Sequence, residues 1–211
     1  TICLDELAAG LSHPDRLIGL HFFNPAQRMP LVEVIRREAT PPEVLATAIR
    51  LCRASHKTPV LVKNREGFLV NRVFLPYLQE AFSLLEDGAA APEIDAAAVE
   101  FGFPMGPLAL IDMIGLDILL HAQRVLQRAF RCHGPMSPIA VRLVQRGHLG
   151  QKTGAGVYRY ASGSHTPLPS DDTADVVAEV REETRRRPCD IGRREITDRL
   201  VLRMVAEAYR V

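Results

Sequence analysis

Apolar positions along this chain change their period once. Between residues 17 and 62 they fall in short runs of strand length: Leu17-Ile18-Gly19-Leu20 with Phe22-Phe23, then Leu31 to Ile35, then Thr58 to Val62. Runs of this kind, closed by turn residues such as Asn24-Pro25, predict short strands of an α/β sheet. Between the second and third, Thr40-Pro41-Pro42-Glu43 reads as a capping-box start, and Val44, Leu45, Ala48, Leu51 and Cys52 supply the stripe of a helix. Beyond Gly67 the period is helical throughout. Val70, Val73, Phe74, Tyr77, Leu78, Ala81, Phe82 and Leu85 repeat at three- and four-residue steps, with Asp87-Gly88 as a stop and Pro76 as an internal bend. Pro92 to Phe101, Pro107 to Phe130 and Pro138 to Arg146 read as three more helices. Ser162 to Asp172 has the composition of an exposed linker. Ala174 to Arg187 and Ile196 to Val211 read as amphipathic segments too short to form a core of their own.

The candidate chemistry lies in the strand region. His21 is expected near the C-terminal end of its strand, where open α/β sheets place ligands, and Glu33 is the one charge inside the apolar run that follows. A carboxylate in such a run is costly unless paired, and an imidazole is its natural partner. The carboxylate would fix the imidazole's tautomer and suit it to general-base work. On spacing alone, a structural histidine with a solvent-facing glutamate fits equally well.

Composition narrows the classes without choosing among them. With 211 residues, 47% of them hydrophobic, the chain can bury a sizeable core, and its net charge of +1 gives no electrostatic case for nucleic acid. Cys3, Cys52, Cys132 and Cys189 are scattered and read as free thiols rather than a disulfide framework or zinc site. No apolar run is long enough to span a membrane, so a soluble, cytoplasmic protein is expected. A G-x-G-x-x-G turn between strand and helix is absent from these residues. Gly154-Ala155-Gly156 lacks the third glycine, and Gly150-Gln151-Lys152-Thr153 lacks Walker A spacing.

Five motifs in order carry a resemblance. His21-Phe22-Phe23-Asn24-Pro25, Met29-Pro30-Leu31-Val32-Glu33-Val34-Ile35, Gly67-Phe68-Leu69-Val70-Asn71-Arg72 with Pro76-Tyr77, Phe103-Pro104-Met105-Gly106-Pro107 with Asp112 and Gly115-Leu116-Asp117, and Gly150-Gln151-Lys152-Thr153-Gly154-Ala155-Gly156-Val157-Tyr158 resemble the L-3-hydroxyacyl-CoA dehydrogenase family over about residues 1 to 160. The wording is most similar to the multifunctional fatty-acid oxidation α-subunit. The resemblance implies an α/β remnant, the last short strands of a Rossmann-type domain, followed by an all-α C-terminal domain, mainly α overall. Its divisions would be 1–64, the end of the dinucleotide-binding domain; 65–161, the helical domain; and 162–211, a linker with the truncated start of a second helical repeat.

The implied reaction is NAD-dependent oxidation of a 3-hydroxyacyl-CoA to the 3-ketoacyl-CoA, with His21 as base, Glu33 holding it and Asn71 hydrogen-bonding the substrate oxygen. Read without the resemblance, Asn71 is as well explained as a helix cap. Asn24 and Lys152 would touch NAD, whose site would be incomplete in this chain, and Pro104, Met105, Pro107 and Leu110 would border the acyl pocket. An acyl-CoA substrate, a second copy bound through the helical domain and a thiolase subunit are the implied partners. A catalytically incomplete helical dimerisation module is the alternative. Other candidates are weaker: Cys52 and His56 share a helical face at i and i+4 but lack a third metal ligand, His121 reads as buried in an apolar helix, and Arg185-Arg186-Arg187 reads as a solvated charge run.

Overall fold

The computed structural model describes residues 3–130 and 134–211. The Cys132 thiol, and Thr1 and Ile2, lie outside the described residues. The chain divides into two compact units, Thr1–Arg72 and Val73–Val211.

In the first unit, β1 (Gly19–Phe22), β2 (Leu31–Arg36) and β3 (Thr58–Lys63) form a sheet in that order. The loop between β1 and β2 is too short for a crossover, so these strands pair antiparallel; β2 and β3 are parallel, joined across α2 (Pro42–Ala54). Side chains alternate along β2. Val32 and Val34 pack with Ala48 and Cys52 of α2, whereas Ile35 joins Leu4 of α1 (Leu4–Ala8) and Val62 in a second cluster. Glu33 lies on the side of Ile35 and is completely buried. The capping box expected at Thr40 does not form: its hydroxyl accepts from the Arg37 N–H at 2.9 Å, and α2 starts after Pro41 without a side-chain cap. Cys52 is buried in α2, but His56 lies beyond the helix end at φ 56°, so the two do not share a helical face.

The second unit is built from α3 (Val70–Asp87, whose first residues belong to the first unit), α4 (Ala91–Phe101), α5 (Pro107–Ile114), α6 (Leu116–Ala129), α7 (Pro138–Gln145), α8 (Asp171–Thr184) and α9 (Arg193–Ala208). The single helix expected over 107–130 is two. Gly115, at φ +106°, breaks it, and the freed Leu116 N–H bonds the Leu149 carbonyl. His121 is exposed rather than buried, because α6 turns Leu116, Leu119, Leu120, Gln123 and Leu126 inward and His121 falls off that stripe.

The terminal segments form two helices that join the shared core. Val176, Val177 and Val180 of α8 and Ile196 and Leu200 of α9 belong to the same core as Leu78, Phe82 and Leu108. Glu80, buried on α3, accepts from Arg199 at 2.6 Å and from Arg203 at 2.7 Å. Arg186, expected in a solvated run, bonds Glu86 and Asp87. Each segment is too short for a core alone, and both complete one by docking.

Two carboxylates organise the motif-rich loops of this unit. Asp95 of α4 caps α5, accepting from the Leu108 and Ala109 N–H groups at 2.8 and 3.0 Å, and takes the Tyr158 hydroxyl at 2.9 Å. Asp112 accepts from the Val157 and Tyr158 N–H groups at 2.8 Å each and from the Tyr160 hydroxyl at 3.0 Å. A Cβ on Gly156 would overlap the Asp112 carboxylate. Gly156→Ala is therefore expected to destabilise this unit by about 1–3 kcal/mol, as overpacking does, read as a lower midpoint in urea; an unchanged midpoint would show that the loop is free to move away.

Candidate active site

The antiparallel register sets His21 directly opposite Glu33 on neighbouring strands. His21 Nδ1 and Glu33 Oε2 are 2.6 Å apart, with the imidazole 32% exposed and the carboxylate fully buried. The other oxygen, Oε1, accepts from the Leu69 and Val70 N–H groups, both at 2.9 Å, at the start of α3. Burial pushes the Glu33 carboxyl up, but the bonds from His21 and from the Val70 and Leu69 N–H groups outweigh it and hold it below the ordinary carboxylate range. An ionised carboxylate can only accept, so Nδ1 carries a proton, and in the neutral ring Nε2 is the nitrogen with the lone pair. Phe23 and Phe68 flank the ring with centroids 4.9 and 5.6 Å away. The result is a partly exposed imidazole with a fixed tautomer, held by a buried anion and two aromatic walls.

Asn71, the second residue of α3, is half-buried, and its side chain makes no hydrogen bond to the described residues. The capping role that spacing left open for it falls to Glu33, which reaches across from β2. Asn24 is exposed in the loop after β1, where its side chain likewise has no hydrogen bond to the described residues. In the second unit, Lys152 is exposed and its ammonium meets the Asp117 carboxylate at 2.5 Å, which holds that carboxyl below its usual range. Pro104 is exposed and Met105 and Leu110 are half-buried, whereas Pro107 is buried in the first turn of α5 under the Asp95 cap. Sequence reasoning missed the Asp95 and Asp112 anchors. The signal was two acids on apolar helix faces, which burial makes costly without donors.

Two family models match the chain, the 3-hydroxyacyl-CoA dehydrogenase NAD binding domain over residues 1–65 and the 3-hydroxyacyl-CoA dehydrogenase C-terminal domain over residues 67–160. An imidazole–carboxylate pair on neighbouring strands and a helical domain thus lie in one chain. The chain belongs to the 3-hydroxyacyl-CoA dehydrogenase family. Among solved structures it is similar to (S)-3-hydroxybutyryl-CoA dehydrogenase PaaH1 from Ralstonia eutropha, with 43% identity and a TM-score of 0.72, over 76% of this chain and 58% of that one. FadB2 from M. tuberculosis gives 37% identity and a TM-score of 0.73 over the same shares, 76% and 58%. The dehydrogenase part of multifunctional enzyme 1 from C. elegans is 28% identical, with a TM-score of 0.71, and the match covers 100% of this chain and 47% of that one. The chain therefore spans little more than half the length of the two bacterial dehydrogenases. No helix among the described residues is long and apolar enough to cross a membrane.

Proposed function

We propose that this chain supplies the base, its carboxylate partner and the helical domain of an NAD-dependent L-3-hydroxyacyl-CoA dehydrogenase of fatty-acid β-oxidation, in which the NAD-binding Rossmann-type sheet continues beyond β1, β2 and β3. The observation that carries the reading is the His21–Glu33 pair, in which Glu33 engages Nδ1 and leaves Nε2 uncommitted on a partly exposed ring. His21 Nε2 takes the proton of the C3 hydroxyl, and Glu33 steadies the resulting imidazolium. Asn71, whose amide is not spent on capping, donates to the substrate oxygen. Bound NAD supplies the hydride acceptor for C3. Asn24 offers an exposed amide that suits the hydroxyl or carboxamide groups of that cofactor, whereas the Lys152 ammonium is held by Asp117. Pro104, Met105 and Leu110 border the acyl chain, with Met105 adaptable to its length, and the buried Pro107 shapes the turn that presents them.

The match along the whole chain to the dehydrogenase part of the C. elegans protein supports a multifunctional enzyme; a thiolase subunit is proposed as a further partner. A second copy docks through the helical half, where Phe101, Met113 and Ile118 expose large apolar side chains. α8 and α9 belong to that helical half, since they share its core. The decisive experiment is acetoacetyl-CoA reduction with NADH by the protein that contains this chain together with the remaining NAD-binding residues. Turnover that vanishes in the Asn71→Ala variant while NADH affinity persists is expected; no turnover with any 3-ketoacyl-CoA would refute the assignment. Sedimentation at micromolar concentration is expected to show a dimer, and a stable monomer would remove the docking role.

A further inference from the structure

The loop that links the base to its carboxylate is fastened from outside itself. Residues 24–30 run between β1 and β2, and all are exposed. Within the loop, the only backbone bonds are turn bonds from the Arg28 and Met29 N–H groups to the Pro25 carbonyl, at 2.9 and 3.0 Å. Lys57 reaches in from the far side of β2 in sequence. Its ammonium donates to the Ala26 carbonyl at 2.6 Å and to the Met29 carbonyl at 2.8 Å. Its own place is fixed, since its backbone N–H bonds the Cys52 carbonyl at the end of α2 at 2.9 Å, and the next N–H, of Thr58, bonds the Pro30 carbonyl at 2.7 Å. The half-buried stem leads a charge to the two carbonyls that frame the turn.

We infer that Lys57 is a positioning residue for the proposed reaction: it latches the 24–30 loop through the Ala26 and Met29 carbonyls and so sets where Asn24 meets the cofactor. The inference rests on the proposed function for its kinetic consequence, but the latch itself does not. A charged donor is needed because one side chain must satisfy two carbonyls 28 and 31 residues away, and charge-assisted bonds are about twice as strong as neutral ones. A neutral amide at this position, as in Lys57→Gln, is shorter and cannot span both acceptors. Arginine can, since its fork offers five donors in a plane. The same logic makes the latch releasable by any modification that neutralises Lys57, acylation of its amine included.

The test has two readouts. Hydrogen exchange on this chain is expected to show the Arg28 and Met29 amides exchanging about tenfold faster in Lys57→Gln, with protection restored in Lys57→Arg and the amides of β2 unchanged, as loss of a local anchor rather than of the fold requires. In the protein with complete NAD-binding residues, Lys57→Gln is expected to raise KM for NAD about tenfold at nearly constant kcat, the pattern of lost binding in ground and transition state alike. Unchanged loop exchange in Lys57→Gln would overturn the latch. Faster exchange with an unaltered KM would overturn its positioning role, and so would an Arg variant no better than Gln. Absence of dehydrogenase turnover in the unmodified protein would instead defeat the proposed function while the exchange data still decided the latch.

Discussion

Replacing His21 with Ala in the complete dehydrogenase is expected to lower turnover by about 10²–10⁴, the range for a lost general base, while leaving NADH affinity nearly intact. His21 is partly exposed and its ring bonds only Glu33, so its removal leaves the strand pairing in place. Glu33→Gln gives the sharper test. The Gln carbonyl can accept from the Leu69 and Val70 N–H groups as the Glu33 oxygen does, which preserves the start of α3. Its amide then faces Nδ1 with a donor. The imidazole must accept there and carry its proton on Nε2, where the substrate hydroxyl needs a lone pair, so a fall of the same order as for a mispositioned triad carboxylate, about 10²–10⁴, is expected. Steady-state rates for the two variants, with NADH affinity by fluorescence, check both. Near-normal turnover in Glu33→Gln would mean that the carboxylate serves only to anchor α3.

Asp112→Ala is expected to be among the most destabilising substitutions in the helical unit. It strands the Val157 and Tyr158 N–H groups in a buried site and removes the Tyr160 acceptor. At about 1–3 kcal/mol for each buried donor left unmet, the loss reaches several kcal/mol, a large part of a domain's stability. Urea unfolding of the helical unit measures it, and a loss below about 1 kcal/mol would show that water replaces the carboxylate.

Acidity adds a signed prediction. Burial pushes the Asp112 carboxyl from 3.8 up to about 6 against the bonds from Tyr158, Val157 and Tyr160. The folded state then binds more protons than the unfolded one between those values, so this group's contribution to stability falls as pH rises from about 4 to 6 and is constant above. Glu33 has the opposite sign. Its folded carboxyl lies below the ordinary 4.5, so its contribution is full above that pH and is lost as pH falls through the folded value. The Asp112→Asn variant should lack the downward slope between pH 4 and 6 that wild type carries relative to it. Parallel profiles would assign that titration elsewhere.

The physical reach of local pattern explains which features could be read along the chain. Periodicity found the three strands of the sheet, the helix that runs through Pro76 and the first turns of α4, α5 and α7, because side-chain period and proline position are properties of adjacent residues. It also singled out His21 and Glu33, since a lone charge in an apolar strand requires a partner. It misjudged features that depend on another segment's position. Thr40 looked like a cap, but two prolines delayed the helix; 107–130 looked continuous, but Gly115 turns where Leu149 waits for a donor. Asn71 was as well read as a cap as a ligand, and the capping bonds go instead to Glu33, 38 residues away in sequence. Lys57 has no local signature at all, because its acceptors lie at least 28 residues distant. The sequence by itself determined the strands and most of the helices, the family, and the pairing of His21 with Glu33. Only the tertiary structure decided which oxygen binds what, because a buried polar group is satisfied by whichever donor the fold brings within about 3 Å, and that pairing is not written in neighbouring residues.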